Sequence, residues 1–331
     1  MEEKGSTIEN SWVRRWEDLN TDCLIKIFEK LGLESLILDI PFVCKSWYKA
    51  SLDPLVYKVL RFEFMNVEEK TMWATTKIPD DLLAENMYSK APPSTEFIKV
   101  AVNRSCGMAT EVVFPEYSAR LADPMEEFFS VSALEYLLER CSAIKTLIVP
   151  YFSFFYLGRE INQCLLKMIS KLKHLEFLGT LTCVYSSPHV INEIRIHCQN
   201  FQSLTAKGFI SMAISSEIVT SLPDIKRLVL RDCSLHHQDL IDILSGCSKL
   251  ELLDASNCRN FNGDDPMILK LASHINIFKS EGSVVNNVVY DDDDDDDDNF
   301  YVSLGVDNSN HVDFCDDSDD RGKWDSDLHF L

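Results

Sequence analysis

Residues 225–233, IKRLVLRDC, and residues 250–258, LELLDASNC, overlay without a gap. Each carries apolar side chains at its first, fourth and sixth positions and closes on cysteine: Ile225, Leu228, Leu230 and Cys233 in one, Leu250, Leu253, Ala255 and Cys258 in the other. Alternation over the middle positions is the period of a short strand with one buried face. Working outward, a cysteine or leucine followed by two apolar positions at steps of three returns along the chain. It appears as Cys106/Ala109/Val112, Cys141/Ile144/Leu147, Leu172/Leu175/Leu178 and Cys198/Phe201/Leu204, then Leu222/Ile225/Leu228, Cys247/Leu250/Leu253 and Leu271/His274/Ile277. The first positions stand 35, 31, 26, 24, 25 and 24 residues apart, the spacing of a repeat array.

Helix-period apolar runs precede the strands, clearest as Leu134/Leu137/Leu138/Cys141, Ile161/Leu165/Ile169/Leu172 and Leu240/Ile243/Leu244/Cys247. A strand and helix of this size cannot bury their own apolar faces, but stacking the pairs makes one continuous core. The expected fold is an α/β repeat solenoid with a curved parallel sheet over residues 95–290. A doubly wound α/β domain also alternates strands and helices. It requires a glycine-rich turn that is missing here, and it leaves cysteine at one fixed repeat position unexplained.

The net charge of −21 is concentrated at the C-terminus. Residues 291–331 hold 16 acidic and 2 basic side chains, −14 in all, so residues 1–290 carry only −7. Eight consecutive aspartates, Asp291–Asp298, open that tail, and such dense like charge is expected to leave it disordered. Calcium loops need ligands spread around a glycine turn, which a uniform aspartate run lacks. No basic face offers itself to phosphate, so nucleic acid is not an expected partner. The longest apolar stretch, around 147–157, is too short and broken to cross a bilayer, and no membrane partner is expected. The 11 cysteines are odd in number and form no CxxC pair, and MEEKGSTIEN is no signal peptide. Reduced thiols in the cytoplasm and/or nucleus follow.

Ahead of the array, residues 1–11 read as a flexible N-terminus, 12–60 as a compact helical unit and 61–94 as a connector. In the helical unit Leu19, Leu24, Ile27, Phe28 and Leu31 recur at helical spacing behind Asn20 and Thr21 as N-caps, and Gly32 ends the helix. Glu34–Leu38 reads as a second helix. Pro41 opens a third that carries Val43, Cys44, Trp47 and Tyr48. Leu19, Leu24, Phe28, Leu31, Val43 and Trp47 exceed what three short helices hide, so they either meet a partner or cap the first repeats.

The segments Trp16-Glu17-Asp18-Leu19, Ile27-Phe28-Glu29-Lys30-Leu31 and Val43-Cys44-Lys45-Ser46-Trp47, with Asp53-Pro54 after them, resemble an F-box. The repeats resemble the cysteine-containing subtype of leucine-rich repeat, in which a residue such as Cys233 or Cys258 caps the turn after the strand. The combination is similar to plant F-box/leucine-rich-repeat proteins, with the F-box at about 12–60 and the repeats at about 95–282. Two positions depart from the F-box pattern: Asn20 replaces the proline after the first leucine, and Tyr57 stands in for the usual tryptophan. The resemblance implies that Leu19, Leu24, Ile27, Phe28, Leu31, Val43, Cys44 and Trp47 dock a Skp-type adaptor and, through it, a cullin. It implies too that the repeats hold a protein substrate for ubiquitination. A scaffold that binds the adaptor without entering a ligase is the alternative.

Strand alternation locates the expected target surface. With Leu228 and Leu230 pointing into the core, Arg227, Val229 and Arg231 line the open, concave face. Leu252, Asp254 and Ser256 lie beside them on one flank. On the other come Ser203, Thr205 and Lys207, then Phe177 and Gly179, then Thr146 and Ile148. No catalytic, cofactor-binding or metal-ligating residues are expected: GxSxG, P-loop, GxGxxG and HExxH motifs are missing. Adjacent His236 and His237 diverge by about 100° on a helix and cannot share a ligand sphere.

Overall fold

In the computed structural model, which describes residue 16 and residues 19–62, 65–66, 90–91, 94–115, 130–150, 155–183 and 186–285, the repeated units line up as one parallel sheet. In chain order its strands are β1 (Val59–Arg61), β4 (Glu111–Val113), β5 (Thr146–Ile148), β6 (Phe177–Cys183), β7 (Ser203–Ile210), β8 (Arg227–Val229), β10 (Leu252–Asp254) and β11 (Ile277–Lys279). The short β9 (Ser234–Leu235) pairs with the end of β7. A separate antiparallel pair, β2 (Met65–Asn66) with β3 (Lys90–Ala91), lies between β1 and the array. The parallel sheet therefore opens at Val59, ahead of the repeats expected from residue 95. The aspartate tail and the N-terminal 1–11 lie outside the described residues.

Between the strands run α4 (Thr95–Ser105), α5 (Val131–Arg140), α6 (Phe155–Met168), α7 (Ser187–His197), α8 (Met212–Ser221), α9 (His237–Gly246) and α10 (Pro266–Leu271), each packed on the next. Alternating strands and helices with one shared apolar core form a leucine-rich-repeat solenoid behind an N-terminal helical unit. The core runs unbroken from Leu24 to Ile275.

The first position of a unit is the C-cap of its helix. Cys141, Cys198 and Cys247 take ψ of 72, 76 and 72° there, and each is buried. The amide three residues on returns to the capping carbonyl, as in Phe201 to Cys198 (3.1 Å) and Leu250 to Cys247 (3.3 Å). The buried thiols tie units together. Cys198 Sγ donates to the Leu172 carbonyl at 3.4 Å, Cys233 to Ala206 at 3.4 Å and Cys258 to Leu230 at 2.9 Å, each acceptor lying one unit earlier. After the strand the backbone turns left-handed at equivalent positions, Asp232 (φ 61°), Asn257 (φ 56°) and Gly282 (φ 76°).

Three sequence expectations are corrected. Cys106 is exposed, not core, because its own left-handed backbone (φ 47°) ends α4 and turns its side chain outward. The last unit is Ala272/Ile275/Phe278, one residue later than Leu271/His274/Ile277. Ile275 N–H returns to the Ala272 carbonyl at 2.9 Å, and Ile277 is aligned with Leu252 and 48% exposed. In the helical unit α1 (Thr21–Phe28) stops short of Gly32, which is instead the N-cap of α2 (Leu33–Leu38), and Pro41 sits in a separate 3-10 turn, Ile40–Phe42. The third helix, α3 (Lys45–Ser51), begins only after Cys44, whose extended backbone (φ −161°) is its N-cap.

Candidate functional site

Two surfaces gather the residues singled out by sequence. The first lies on the helical unit. Asn20 caps α1 through a bond from Asp22 N–H to its Oδ1 (3.2 Å), which orients the helix with Leu24 and Phe28 inward. Both are buried. They shape the unit from inside and present no surface to a partner. Trp47 stands edge-on to Phe28 with ring centroids 5.4 Å apart, and its indole N–H donates to the Trp16 carbonyl at 3.4 Å. Leu19 is half-buried against the same core, and Cys44 Sγ lies 3.1 Å from Ser46 Oγ.

Ile27, Leu31 and Val43 are exposed, and Phe42 more so at 73%. Trp16 and Tyr48 join them. Sequence reasoning did not single out Phe42, because a residue beside a turn proline carries no periodic signal.

The second surface is the open face of the sheet. Leu228 is buried between exposed Arg227 and half-buried Val229, the paired strands bury Leu204 and Leu253 beside it, and the register brings the expected residues into two rows. Thr146, Phe177, Ser203, Arg227 and Leu252 align in one. In the other, Thr205, Val229 and Asp254 align, with Ile148 and Gly179 paired further along. Lys207 and Arg231 lie beyond the second row, each 3.9 Å from Asp232. Asp254 is nearly buried and already engaged, taking the Ser256 hydroxyl at 2.5 Å and standing 3.8 Å from Lys279. Among the described residues Arg227 makes no ion pair.

The rows extend further than sequence reasoning carried them. Val59 and Glu111 join the first, Arg61 and Val113 the second, with Arg61 and Glu111 bridged at 2.6 Å. The unit at Cys106/Ala109/Val112 held the signal for Glu111 and Val113, which flank Val112 as Arg227 and Val229 flank Leu228. A bulge between Leu178 and Leu181 interrupts the second row: Thr180 is left-handed (φ 57°), and its hydroxyl donates to the Val149 carbonyl. Gly179 is needed there, since a Cβ would stand 2.8 Å from Ile148 Cγ1.

Burial pushes the Cys198, Cys247 and Cys258 thiols up to about 11 and Cys183 to about 12, so they stay protonated near neutral pH. His236 turns to the Phe209 ring (5.6 Å) while His237 faces Asp265 (3.2 Å), so the adjacent histidines serve different neighbours. Among the described residues no helix is long and apolar enough to cross a membrane.

Comparison with known proteins agrees with this geometry. Residues 16–59 match the F-box domain model. An F-box/leucine-rich-repeat protein of Arabidopsis thaliana is 28% identical over 254 residues, covering 75% of this chain and 74% of the relative. A second F-box/leucine-rich-repeat protein from that plant is 25% identical over 281 residues, 83% of this chain and 80% of its own length. An Arabidopsis F-box protein is 21% identical over 258 residues, 76% and 70% of the two chains. Residues 16–59 thus carry an F-box domain, and the chain as a whole is similar to F-box/leucine-rich-repeat proteins of Arabidopsis thaliana.

Proposed function

We propose that the chain is the substrate-recognition subunit of a Skp–cullin–F-box ubiquitin ligase and takes no part in the transfer chemistry itself. The bare apolar face around Ile27, Leu31 and Val43 would dock the Skp-type adaptor. The open sheet face would capture a protein target, with Phe177, Arg227 and Arg231 as its strongest anchors. The observation that carries the reading is the separation of the two faces: one exposed apolar surface on the F-box, and one mixed surface on a different element set sharing the same core. Mixed apolar and arginine-bearing surfaces suit protein recognition. Transfer then proceeds by proximity, the target being held where another subunit can act.

Affinity purification from plant tissue tests this. Adaptor and cullin should co-purify with the wild-type chain, and ubiquitinated proteins should fall when it is removed. Adaptor without cullin would overturn the ligase reading in favour of a scaffold. Charge reversal at Arg227 and Arg231 combined with Phe177→Ala should abolish target capture while sparing adaptor binding. Normal capture by that folded triple variant would remove the target from the open face.

A further inference from the structure

One cation of the array is hydrogen-bonded to the F-box. Arg104 lies in the last turn of α4, the first helix behind the F-box. Its Nη1 donates to the Leu36 carbonyl at 3.3 Å and to the Tyr57 hydroxyl oxygen at 2.9 Å. The guanidinium also sits 5.9 Å from the Tyr57 ring centroid. Leu36 belongs to the last turn of α2, where helix carbonyls lack partners within the helix. Tyr57 is fully buried in the turn Pro54–Tyr57 and passes the connection on, its hydroxyl donating to the Ser51 carbonyl at the end of α3 at 2.8 Å. One side chain of the array thus holds the end of α2 and the last F-box turn directly, and the end of α3 through Tyr57. Directly after that turn, β1 enters the parallel sheet, so the chain path leaves no free tether there.

We propose that Arg104 is a positioning residue that sets the angle between the adaptor-docking face and the target-binding sheet. The proposal rests on the ligase reading for its consequence, though not for its geometry. A receptor working by proximity gains rate only if the target is delivered at a fixed place. Apolar packing around Val56 and Leu60 supplies adhesion without direction, whereas hydrogen bonds from a planar guanidinium set an orientation. Releasing the latch would let the three F-box helices tilt about the segment 52–58 while both binding faces stay intact.

The test uses the full chain bound to the Skp-type adaptor, with spin labels carried by non-natural residues at Lys26 and Lys270. Wild-type protein should give one narrow distance distribution. Arg104→Met should shift the balance toward tilted arrangements by roughly ten- to a hundredfold, the scale of charge-assisted hydrogen bonds. Arg104→Lys should restore it in part, and adaptor affinity should stay within about twofold, since that face is untouched. Tyr57→Phe removes only the hydroxyl, preserves the core ring and serves if the arginine variant fails to fold. In the reconstituted ligase, ubiquitin on the chain's own lysines should spread to more sites in the tilted variants. Unchanged distance distributions in both Arg104→Met and Tyr57→Phe overturn the proposal. A wild-type complex that transfers no ubiquitin while the distances behave as stated sinks the ligase reading and leaves the positioning role standing.

Discussion

At the scale of single residues, a buried cysteine here combines two properties that neither leucine nor serine offers together. It fills a small apolar site, and it supplies a weak donor to a carbonyl of the preceding unit. Desolvation raises these thiols, with Cys198, Cys247 and Cys258 at about 11. In the unfolded chain a thiol ionises near about 8.5. Folding therefore favours the neutral form, so this contribution is intact below that value and is lost as pH rises toward 11. Thermal melts across this alkaline window should show falling stability. Alkylation at neutral pH should label exposed Cys23 and Cys106 and spare these three; rapid labelling of Cys198 or Cys258 in folded protein would refute the packing. The F-box makes a second residue-level contrast. Phe28→Ala should lower stability by about 3–5 kcal/mol, since it empties a core site. Val43→Asp should leave the melting temperature nearly unchanged and weaken adaptor binding by more than about 2 kcal/mol, read by calorimetry. Equal adaptor affinity for Val43→Asp and wild type would move the docking face elsewhere. Periodicity had grouped Phe28 with Ile27 and Leu31. It identifies apolar positions on a helix but not which side the neighbouring elements cover, and α1 is apolar on two sides.

At the scale of elements, the strand units were legible because identical burial demands recur: Ile144, Leu175, Ile225 and Leu250 all fill the same core position. The final unit slipped by one because Leu271 and Ile277 fit the outer positions of the pattern, while the bond from Ile275 N–H to the Ala272 carbonyl and the pairing of Ile277 with Leu252 set the register one residue later. The bulge at Thr180 left no trace in sequence, since a β-branched residue is a poor advertisement for a left-handed backbone. The F-box strand β1 escaped for a different reason: Val59–Arg61 has no cysteine-led start, yet it pairs with β4 as any repeat strand would. Where a turn does require glycine the requirement is testable. Gly282 has φ 76°, and a Cβ there would lie 2.3 Å from Asn257 Oδ1. Gly282→Ala should thus destabilise the last unit by about 1–3 kcal/mol in urea unfolding, the usual scale for a strained backbone site. Wild-type stability would show that the turn rearranges freely.

Across the whole molecule, the decisive feature is that the F-box does not close its own core. Val56, Tyr57 and Leu60 are buried, and Phe62, just beyond the F-box, stacks on Phe114 of the array at 4.9 Å. A unit of roughly fifty residues buries too small a fraction of its surface to be secure alone, and Val56, Tyr57 and Leu60 lose cover once the array is cut away. Residues 12–60 expressed in isolation should therefore give no cooperative melt by circular dichroism, while residues 1–290 should melt cooperatively. Adding the Skp-type adaptor should restore structure to the isolated segment, because a partner that binds only the folded form draws the equilibrium toward it. The array is expected to behave asymmetrically. Its units from Cys141 onward share a repeated core, so removal of the F-box should expose Phe114 and β4 and lower the melting temperature without abolishing folding. A cooperative melt of the isolated 12–60 segment at the temperature of the full chain would mean that the two parts are independent. The shared core would then be contact without coupling.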